Sequence, residues 1–426
     1  MKSVKFFFTL PEEGVTIPST AVSKFQLDSS IEESYPRGFL QVDDPQGTIL
    51  EKMYLKPGTK LLVSAQESAV QGEEEAKVKN FGVYVITGLR TDPAARFEDA
   101  TIQSPSSLGS EIIVEFAHPW ALFSDYASHA YKGKIGDIVD RIISSSKRGF
   151  TFAGIFIASE TDDDGSITRY KINESEQSFI HNKLLPYATI DKQPVYSFVN
   201  EIGEFYLTNF KRMYDLEPLA ILLPPVQEVV GTLYDEVQDK QKAIFHYFDT
   251  WWQLGEDFEK QMRVIKRWVQ LENSADKITF RGLMPYIPPI KNGSILLRKS
   301  TIANVEGTDA ANIPHRDFLD GLKWMVNDSR KMDSYFTATV VAPFNADLAS
   351  VGYTVDWRIP SAEDPTTKHW LSGKWLVVSS RQVMNDKSNY FSILTLAKPA
   401  ITDDAENFPD TLNPQDLYNP GRDNAR

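Results

Sequence analysis

The first 120 residues alternate short apolar segments with turn residues. Short segments rich in β-branched and aromatic residues are typical of strands. Six strands are predicted, at residues 4–10, 22–27, 39–42, 60–65, 80–89 and 111–117. Turns separate them, for example at Lys56-Pro57-Gly58, where proline fixes φ and glycine permits a positive φ. Strands of this number and spacing predict an antiparallel sandwich or barrel.

From Ile135 onwards the apolar residues recur at intervals of three and four. This spacing is typical of an amphipathic helix, whose buried face would hold Ile135, Ile138, Val139, Ile142 and Ile143. A second helix is predicted over residues 175–187. The aromatic segment that follows, residues 196–206, contains a turn at Gly203 and predicts a β-hairpin.

The second half of the chain mixes predicted helices and strands. Apolar residues at mixed intervals of three and four predict long helices over residues 234–252 and 257–271, and a further helix over 316–332. Strands are predicted at residues 277–283, 294–298, 335–342, 353–358, 374–380 and 389–397. The last 25 or so residues, rich in Asp, Asn and Pro, bury too little apolar area to fold alone.

Composition restricts the classes of protein. The chain has 426 residues, of which 42% are hydrophobic, so it can form the cores of two or three domains of about 150 residues each. With 45 Lys and Arg against 58 Asp and Glu, its formal charge of −13 argues against nucleic-acid binding through a general basic surface. The absence of cysteine excludes disulfides, a cysteine nucleophile and thiolate metal sites. No signal peptide or membrane-spanning run is evident, and synthesis in the cytoplasm is expected.

Candidate chemical sites are few. The loop of residues 160–171 places acids and Gly165 as an EF-hand does, but Lys171 occupies the twelfth position, where calcium requires a bidentate carboxylate. A solvated acidic loop is therefore favoured over a calcium site. The six histidines are scattered, and neither an esterase elbow nor a P-loop motif occurs. We predict no catalytic residue, no metal and no cofactor. Trp251 and Trp252 favour packing against another element or subunit over a sugar-stacking platform.

Four stretches of the chain, taken in order, resemble a known family. They are residues 38–44, residues 131–143, residues 174–188 running into the 196–206 hairpin, and the closing segments 353–360, 369–378 and 390–396. Their order and spacing are similar to those of the baseplate central hub protein of contractile-tailed bacteriophages. This T-even-type hub is related to the hub part of type VI secretion spike proteins.

The resemblance implies an α+β fold dominated by β structure. It would contain two antiparallel β-barrel-like tail-hub domains and a helical or mixed middle region. The expected domains are a first barrel at 1–125, a mixed helix and strand domain at 126–194, a second barrel at 195–230 and 310–400, a helical insert with short strands at 231–309, and an extended tail at 401–426.

The same resemblance implies a structural role in the virion and no enzymatic activity. Three chains would form a ring of pseudo-sixfold symmetry, a symmetry adaptor that joins the hexameric tail tube to the trimeric central spike and lines the channel for DNA ejection. The expected partners are two further copies of the chain, the tail tube protein, the central spike protein and the baseplate wedge proteins. DNA and the tape-measure protein would pass without specific binding. The excess of acidic residues would help such a lumen, or would serve only solubility.

Two alternatives remain open from the sequence: a cell-wall-degrading tail-associated hydrolase with a carboxylate pair, and the hub of a bacteriocin or type VI-like injection machine. For a hub, the expected localisation is the tail baseplate, after assembly in the host cytoplasm. The hairpin and the strands near the C-terminus are expected to build the ring. The predicted interface residues are Tyr196, Phe198, Phe205, Tyr206, Trp251, Trp252, Trp375, Val377 and Leu417.

Overall fold

The fold is described from a computed structural model of the chain. The described residues are 4–44, 49, 55–67, 78–91, 111–123, 126–145, 149–163, 165–166, 168–191, 193–223, 243–246, 249–252, 268–274, 277–283, 336–343, 350–359, 372–385 and 389–398. The predicted strand at 294–298, the predicted helix at 316–332 and the C-terminal tail with Leu417 lie outside them.

The N-terminal part of the chain is all β, as its alternating pattern predicts. Its strands are β1 (Val4–Leu10), β2 (Val15–Ile17), β3 (Val22–Ser30), β4 (Arg37–Asp43), β5 (Lys60–Glu67), β6 (Val78–Thr91) and β7 (Glu111–Ala117). All six predicted strands are confirmed, two of them with the predicted bounds. The prediction missed β2, which has only three residues.

The next part of the chain mixes short strands and helices. Its elements are β8 (His129–Lys132), α1 (Ile135–Ile143), β9 (Gly154–Ile157), β10 (Thr168–Lys171), α2 (Glu176–Phe179), β11 (Thr189–Ile190), β12 (Gln193–Val199), β13 (Glu204–Asn209) and α3 (Phe210–Tyr214). α2 continues as a π turn and a 3₁₀ turn as far as Tyr187, so the predicted helix over 175–187 is confirmed as a helical segment of changing pitch. The predicted hairpin is formed by β12 and β13.

The remaining described elements are all strands. They are β14 (Ala220–Leu223), β15 (Ala243–His246), β16 (Asp249–Trp252), β17 (Trp268–Ser274), β18 (Lys277–Leu283), β19 (Phe336–Pro343), β20 (Thr354–Trp357), β21 (Gly373–Asn385) and β22 (Asn389–Lys398). The predicted helices over 234–252 and 257–271 are therefore wrong wherever the structure describes these residues. Their β-branched and aromatic side chains suit a pleated strand, and pairing with neighbouring strands outweighs the helical spacing.

One sheet of fourteen strands contains most of this β structure. We call β1–β7 the first β unit, and β14–β16 with β19–β22 the second β unit. The strand order is β3–β4–β7–β6–β5–β1–β2 in the first unit and β16–β19–β22–β21–β20–β14–β15 in the second. If the seven strands of each unit are counted from one to seven along the chain, both orders read 3–4–7–6–5–1–2. The two units therefore have the same strand arrangement, with β17 and β18 inserted in the sequence of the second unit.

The two β units also share local details. Both contain one exceptionally long strand, β6 or β21, and each of these strands has a register shift in its pairing with the following strand. The units differ at their first strand, because β1 is antiparallel to β2 and β5 whereas β14 is parallel to β15 and β20. The fold is β-dominated and α+β, as predicted. The two predicted barrel-like domains are not confirmed, since no sheet closes on itself among the described residues.

Three apolar cores correspond to this organisation. The first β unit packs the rings of Phe6, Phe8, Phe25 and Phe116, and Phe6 and Phe25 lie 5.0 Å apart although their strands are far apart in the sheet order, so the sheet is strongly curled. The core of the second β unit contains Trp357 and Trp375, whose rings are in contact. A third core belongs to the middle unit, which we define as β8–β13 with α1 and α2.

The middle unit uses the acidic loop as a helix cap. All five apolar residues predicted to lie on one face of α1 are buried. The backbone N–H of Ile135 donates to the carboxylate of Asp163 at 3.1 Å, and that of Gly136 donates to the hydroxyl of Thr161. An oxygen acceptor at the start of a helix satisfies an N–H that has no partner within the helix. The loop that resembles an EF-hand therefore has a structural role at the start of α1.

Candidate assembly interface

The two β units meet where β21 pairs with β3, and this junction is the candidate functional site. The first residues of β21 pair with β20, inside the second unit. Its later residues, 379–385, pair antiparallel with residues 24–30 of β3 in the first unit. The two units therefore lie side by side in one continuous sheet.

The β21–β22 hairpin contributes to both cores. At the start of β21, Trp375 and Val377 are fully buried in the core of the second unit. At the other end of the strand, Met384 is buried in the core of the first unit, and the ring of Tyr390 stacks on Phe6 with centroids 4.6 Å apart. The first unit is therefore completed by residues that lie almost 400 positions along the chain.

A buried polar layer separates the two cores at the junction. Ser380, Gln382 and Ser392 are each at most 1% exposed. The amide of Gln382 donates to the hydroxyl of Ser380 at 2.8 Å, and the hydroxyl of Ser392 donates to the amide oxygen of Gln382. A shift of register between β21 and β22 would separate Ser392 from Gln382 and leave these buried groups unpaired, at a cost of about 1–3 kcal/mol each. The layer therefore fixes how β21 pairs with β22, at the place where β21 joins the two units.

On the outer face, a cross-strand ion pair marks the same junction. The Arg381 guanidinium lies 2.6 Å from the carboxylate of Asp28, directly opposite it in the register, and the arginine side chain is 52% exposed. A solvated pair of this kind contributes about 0.2–1 kcal/mol. It adds specificity of register more than stability.

The turn of the β12–β13 hairpin ties the middle unit to both β units. The hydroxyl of Tyr84, in β6, donates to the backbone oxygen of Glu201 at 2.7 Å. The carboxylate of the same buried Glu201 accepts from the backbone N–H of Val351, at 3.3 Å, in the second half of the chain. Glu201 thus contacts the first β unit through Tyr84, and it contacts the segment that leads into β20 of the second β unit through Val351.

A second carboxylate, that of Glu204 at the start of β13, accepts several hydrogen bonds. One oxygen of Glu204 accepts from the amide of Asn200 at 2.7 Å, from the hydroxyl of Tyr206 at 2.9 Å and from that of Tyr353 at 3.0 Å. Burial raises the pKa of both phenols, and the nearby Glu204 carboxylate adds to the effect. Both phenols therefore stay protonated and donate to Glu204, so these hydrogen bonds have a structural role.

A groove of about 760 Å³ lies beside this turn, between the first β unit and the middle unit. Its walls include Val83, Leu122, Phe150 and Phe152, and its floor holds His118, which is 5% exposed. The Nδ1 atom of His118 accepts from the backbone N–H of Trp120 at 3.2 Å. Burial lowers the pKa of His118 to about 3. The imidazole is therefore neutral at physiological pH.

This low pKa predicts an acid-sensitive contribution to stability. Between about pH 6.5 and pH 3 the unfolded chain binds a proton at His118 that the folded chain does not, so stability falls as the pH falls through this range. The loss from this one residue is about 1.4 kcal/mol per pH unit. We expect His118→Asn, which keeps a cap for Trp120, to remove this part of the slope in urea unfolding measured from pH 6.5 to 4. An unchanged slope would contradict the assignment.

The predicted interface residues lie in several places. Tyr196, Phe198, Tyr206, Trp375 and Val377 are buried in the core of the second β unit. Phe205 is buried in the core of the middle unit. The backbones of Trp251 and Trp252 form β16, and Leu417 lies outside the described residues. An interface role for these residues stays a prediction.

The residues that make the junction were missed by the sequence analysis. Ser380, Gln382 and Met384 alternate with exposed Arg381 along β21, which is the signal of a strand with an inward face. Polar residues at inward positions look like outward ones until the partner strand is known. The structure alone shows that they face a junction.

Other kinds of site receive no support from the described residues. In that part of the chain, no group of three or more His, Asp or Glu lies together in a way that would hold a metal ion. None of the helices there has both the length and the apolar character needed to cross a bilayer.

Comparison with known proteins gives structural neighbours only. No protein-family model and no curated protein matches the chain. The 43 kDa tail protein of prophage MuSo2 from Shewanella oneidensis aligns over 95% of this chain and 99% of its own, with 11% identity and a TM-score of 0.48. A component of the type VI secretion system, the E. coli c3393 protein, aligns over 89% of this chain and 74% of its own, with 10% identity and a TM-score of 0.42. A chain of the Francisella PdpA–VgrG complex aligns over 94% of this chain and 58% of its own, with 8% identity and a TM-score of 0.49.

The structural neighbours are phage tail proteins and proteins related to type VI secretion spikes.

Proposed function

We propose that the chain is a structural hub subunit of a contractile tail baseplate. Three copies close into a ring of pseudo-sixfold symmetry between a hexameric tail tube and a trimeric central spike. The ring lines the channel through which DNA and the tape-measure protein pass. The chain has no catalytic role in this proposal, and its place is the virion tail after assembly in the host cytoplasm.

One observation carries this proposal: the same seven-strand order occurs twice in one chain, and the two copies lie side by side in one sheet. A subunit that contributes two similar units supplies six units when three subunits assemble. The assembly then presents near-sixfold symmetry to one partner and true threefold symmetry to the other. A chain with a single β unit would match only one of these symmetries.

The partners follow from this symmetry. The hexameric partner is the tail tube protein, the trimeric partner is the central spike protein, and the baseplate wedge proteins surround the ring. Bacteriocin and type VI-like machines need the same adaptor, and the proposal applies to them equally. The net charge of −13 suits a channel wall that repels nucleic acid.

The alternative is a hydrolase that uses a pair of catalytic carboxylates, and the environments of Glu201 and Glu204 do not favour it. Glu204 already accepts three hydrogen bonds on one oxygen, and Glu201 is 1% exposed. A catalytic acid or base must reach its substrate within hydrogen-bond distance. These two residues instead hold the three units together.

The native mass in solution tests the proposal. We expect native mass spectrometry and analytical ultracentrifugation of the full chain to give three times the chain mass of 48.2 kDa. Two subunits joined by one heterologous contact leave one contact surface uncovered on each subunit, and only the third subunit covers both. A stable dimer is therefore not expected. A chain that remains monomeric at high micromolar concentration, or that forms a dimer or tetramer, would overturn the ring.

A further inference from the structure

The repeated strand order assigns each strand of the first β unit a counterpart in the second. β6 corresponds to β21, β7 to β22, β4 to β19 and β3 to β16. The register shifts provide an independent anchor, because the regular pairing resumes at Gly88 in β6 and at Ser379 in β21.

From that anchor, residue correspondences follow across the neighbouring strands. The residues that follow Gly88 and Ser379 each begin a row of paired residues across four neighbouring strands. Across β6, β7, β4 and β3 of the first unit, the row is Leu89, Val114, Leu40 and Phe25. Across β21, β22, β19 and β16 of the second unit, the row is Ser380, Leu394, Val340 and Thr250. Val114 and Leu394 are both fully buried, as are Leu40 and Val340. The two units therefore match in register and in which face is buried.

The counterparts differ in how many neighbours they have. Beyond its register shift, β21 pairs with β22 on one side and with β3 on the other. Beyond its own register shift, β6 pairs only with β7 among the described residues, because its pairing with β5 ends at Val85. Among the described residues, β16 likewise pairs only with β19. Its counterpart β3 pairs with both β4 and β21.

The two strand edges that have no partner among the described residues therefore correspond to the two halves of the junction that the chain already forms internally. We propose that residues 88–91 of β6 pair antiparallel with β16 of a second copy of the chain, in the way that β21 pairs with β3 within one chain. The proposal rests on the ring described above and names the strands that close it. Each copy offers one β6 edge and one β16 edge, so the contact is heterologous and can close a ring. Closure also removes two exposed strand edges per chain.

The internal junction also gives the register of the contact. Within the chain, Gln382 lies opposite Leu27. Gln382 is two residues beyond Ser380 and Leu27 is two beyond Phe25, so their counterparts are Thr91 and Trp252. Thr91 of one copy is therefore expected to lie opposite Trp252 of the next. This places one of the predicted interface tryptophans at the ring contact.

Disulfide trapping tests this pairing directly, because the chain contains no cysteine of its own. Residues directly opposite each other in an antiparallel pair have Cα atoms about 4.5–5.5 Å apart, which a disulfide can span. We expect the Thr91→Cys, Trp252→Cys double variant, oxidised and run on a denaturing gel without reductant, to give covalent dimers and trimers. The matched control is Asp28→Cys, Arg381→Cys, which should cross-link within one chain and keep the mass of a single chain.

Two further measurements protect the test against a misfolded variant. Mixing chains that carry only Thr91→Cys with chains that carry only Trp252→Cys should give covalent dimers and no larger species. In the unmodified protein, the backbone amides of residues 88–91 that point away from β7 should exchange at least tenfold more slowly in the assembled form than after dilution to single chains.

The outcomes separate this inference from the proposed function. An unmodified chain that is not a trimer refutes the ring and this contact with it. If the chain is a trimer but the Thr91→Cys, Trp252→Cys variant does not cross-link, and residues 88–91 gain no protection from hydrogen exchange, only the contact is refuted. Equal cross-linking by an off-register pair, Thr91→Cys with Asp249→Cys, would also overturn the proposed register.

Discussion

Replacing Lys171 with alanine is expected to lower the free energy of unfolding of the middle unit by about 3–5 kcal/mol. The Lys171 ammonium lies 2.9 Å from the carboxylate of Glu176, and the two side chains are 0% and 5% exposed. The ammonium also donates to the backbone oxygen of Ala127 at 3.2 Å. Removing the lysine takes the nearest cation away from the buried Glu176 carboxylate, and the loss of this attraction accounts for most of the cost.

Urea unfolding followed by circular dichroism measures this effect, and two variants control it. Lys183→Ala removes a lysine that lies 3.5 Å from Glu174 at a half-exposed site, so a change of no more than about 1 kcal/mol is expected. The Lys171→Met, Glu176→Leu double variant removes both charges at similar volume and is expected to recover most of the stability. A Lys171→Ala variant as stable as the unmodified chain would show that the pair is solvated.

The second large effect is expected at Trp375, in the core of the second β unit. Its side chain is fully buried, and its ring meets that of Trp357 edge to face with centroids 5.4 Å apart. Trp375→Ala removes a large apolar volume from a packed core, and a loss of about 3–5 kcal/mol is expected. The loss should appear in the urea transition that includes the second unit.

Trp375→Phe is the matched variant for this prediction. It keeps an aromatic ring against Trp357 and should lose clearly less stability than the alanine variant. Because Trp375 is buried within one chain, both variants should also retain the native mass of whatever assembly they form. A change of assembly with unchanged unfolding free energy would instead place Trp375 at a contact between chains.

The sequence predicted the first β unit well, because local pattern and final environment agree there. Each strand of that unit has an apolar face, and no competing helical period occurs within the strands. The agreement fails at β15 and β16, where residues such as Ile244, Phe245 and Trp251 fit both a helical spacing and a strand. Pairing with strands distant in the sequence decides between the two, and a single sequence does not show this pairing.

The duplication itself was expected from the resemblance, and the repeated strand order supports it. It was not visible as a repeat of residues, because strand order depends on alternation and pairing and not on identity. Leu89 and Ser380, for example, occupy equivalent positions and share no chemistry. The junction was also invisible, because the inward position of Gln382 is defined only once β3 lies beside it. The buried Lys171 had a sequence signal only as the residue that breaks a calcium loop.

The shared β21–β22 hairpin has a consequence during protein synthesis. The first β unit lacks Met384 and Tyr390, and its β3 edge is uncovered, until the ribosome has made nearly the whole chain. Until then, the nascent N-terminal half exposes an unpaired strand and part of an aromatic core, which are the features that promote aggregation. Chains that terminate early are therefore expected to collect in the insoluble fraction or on chaperones. Only complete subunits then become available for incorporation into a particle.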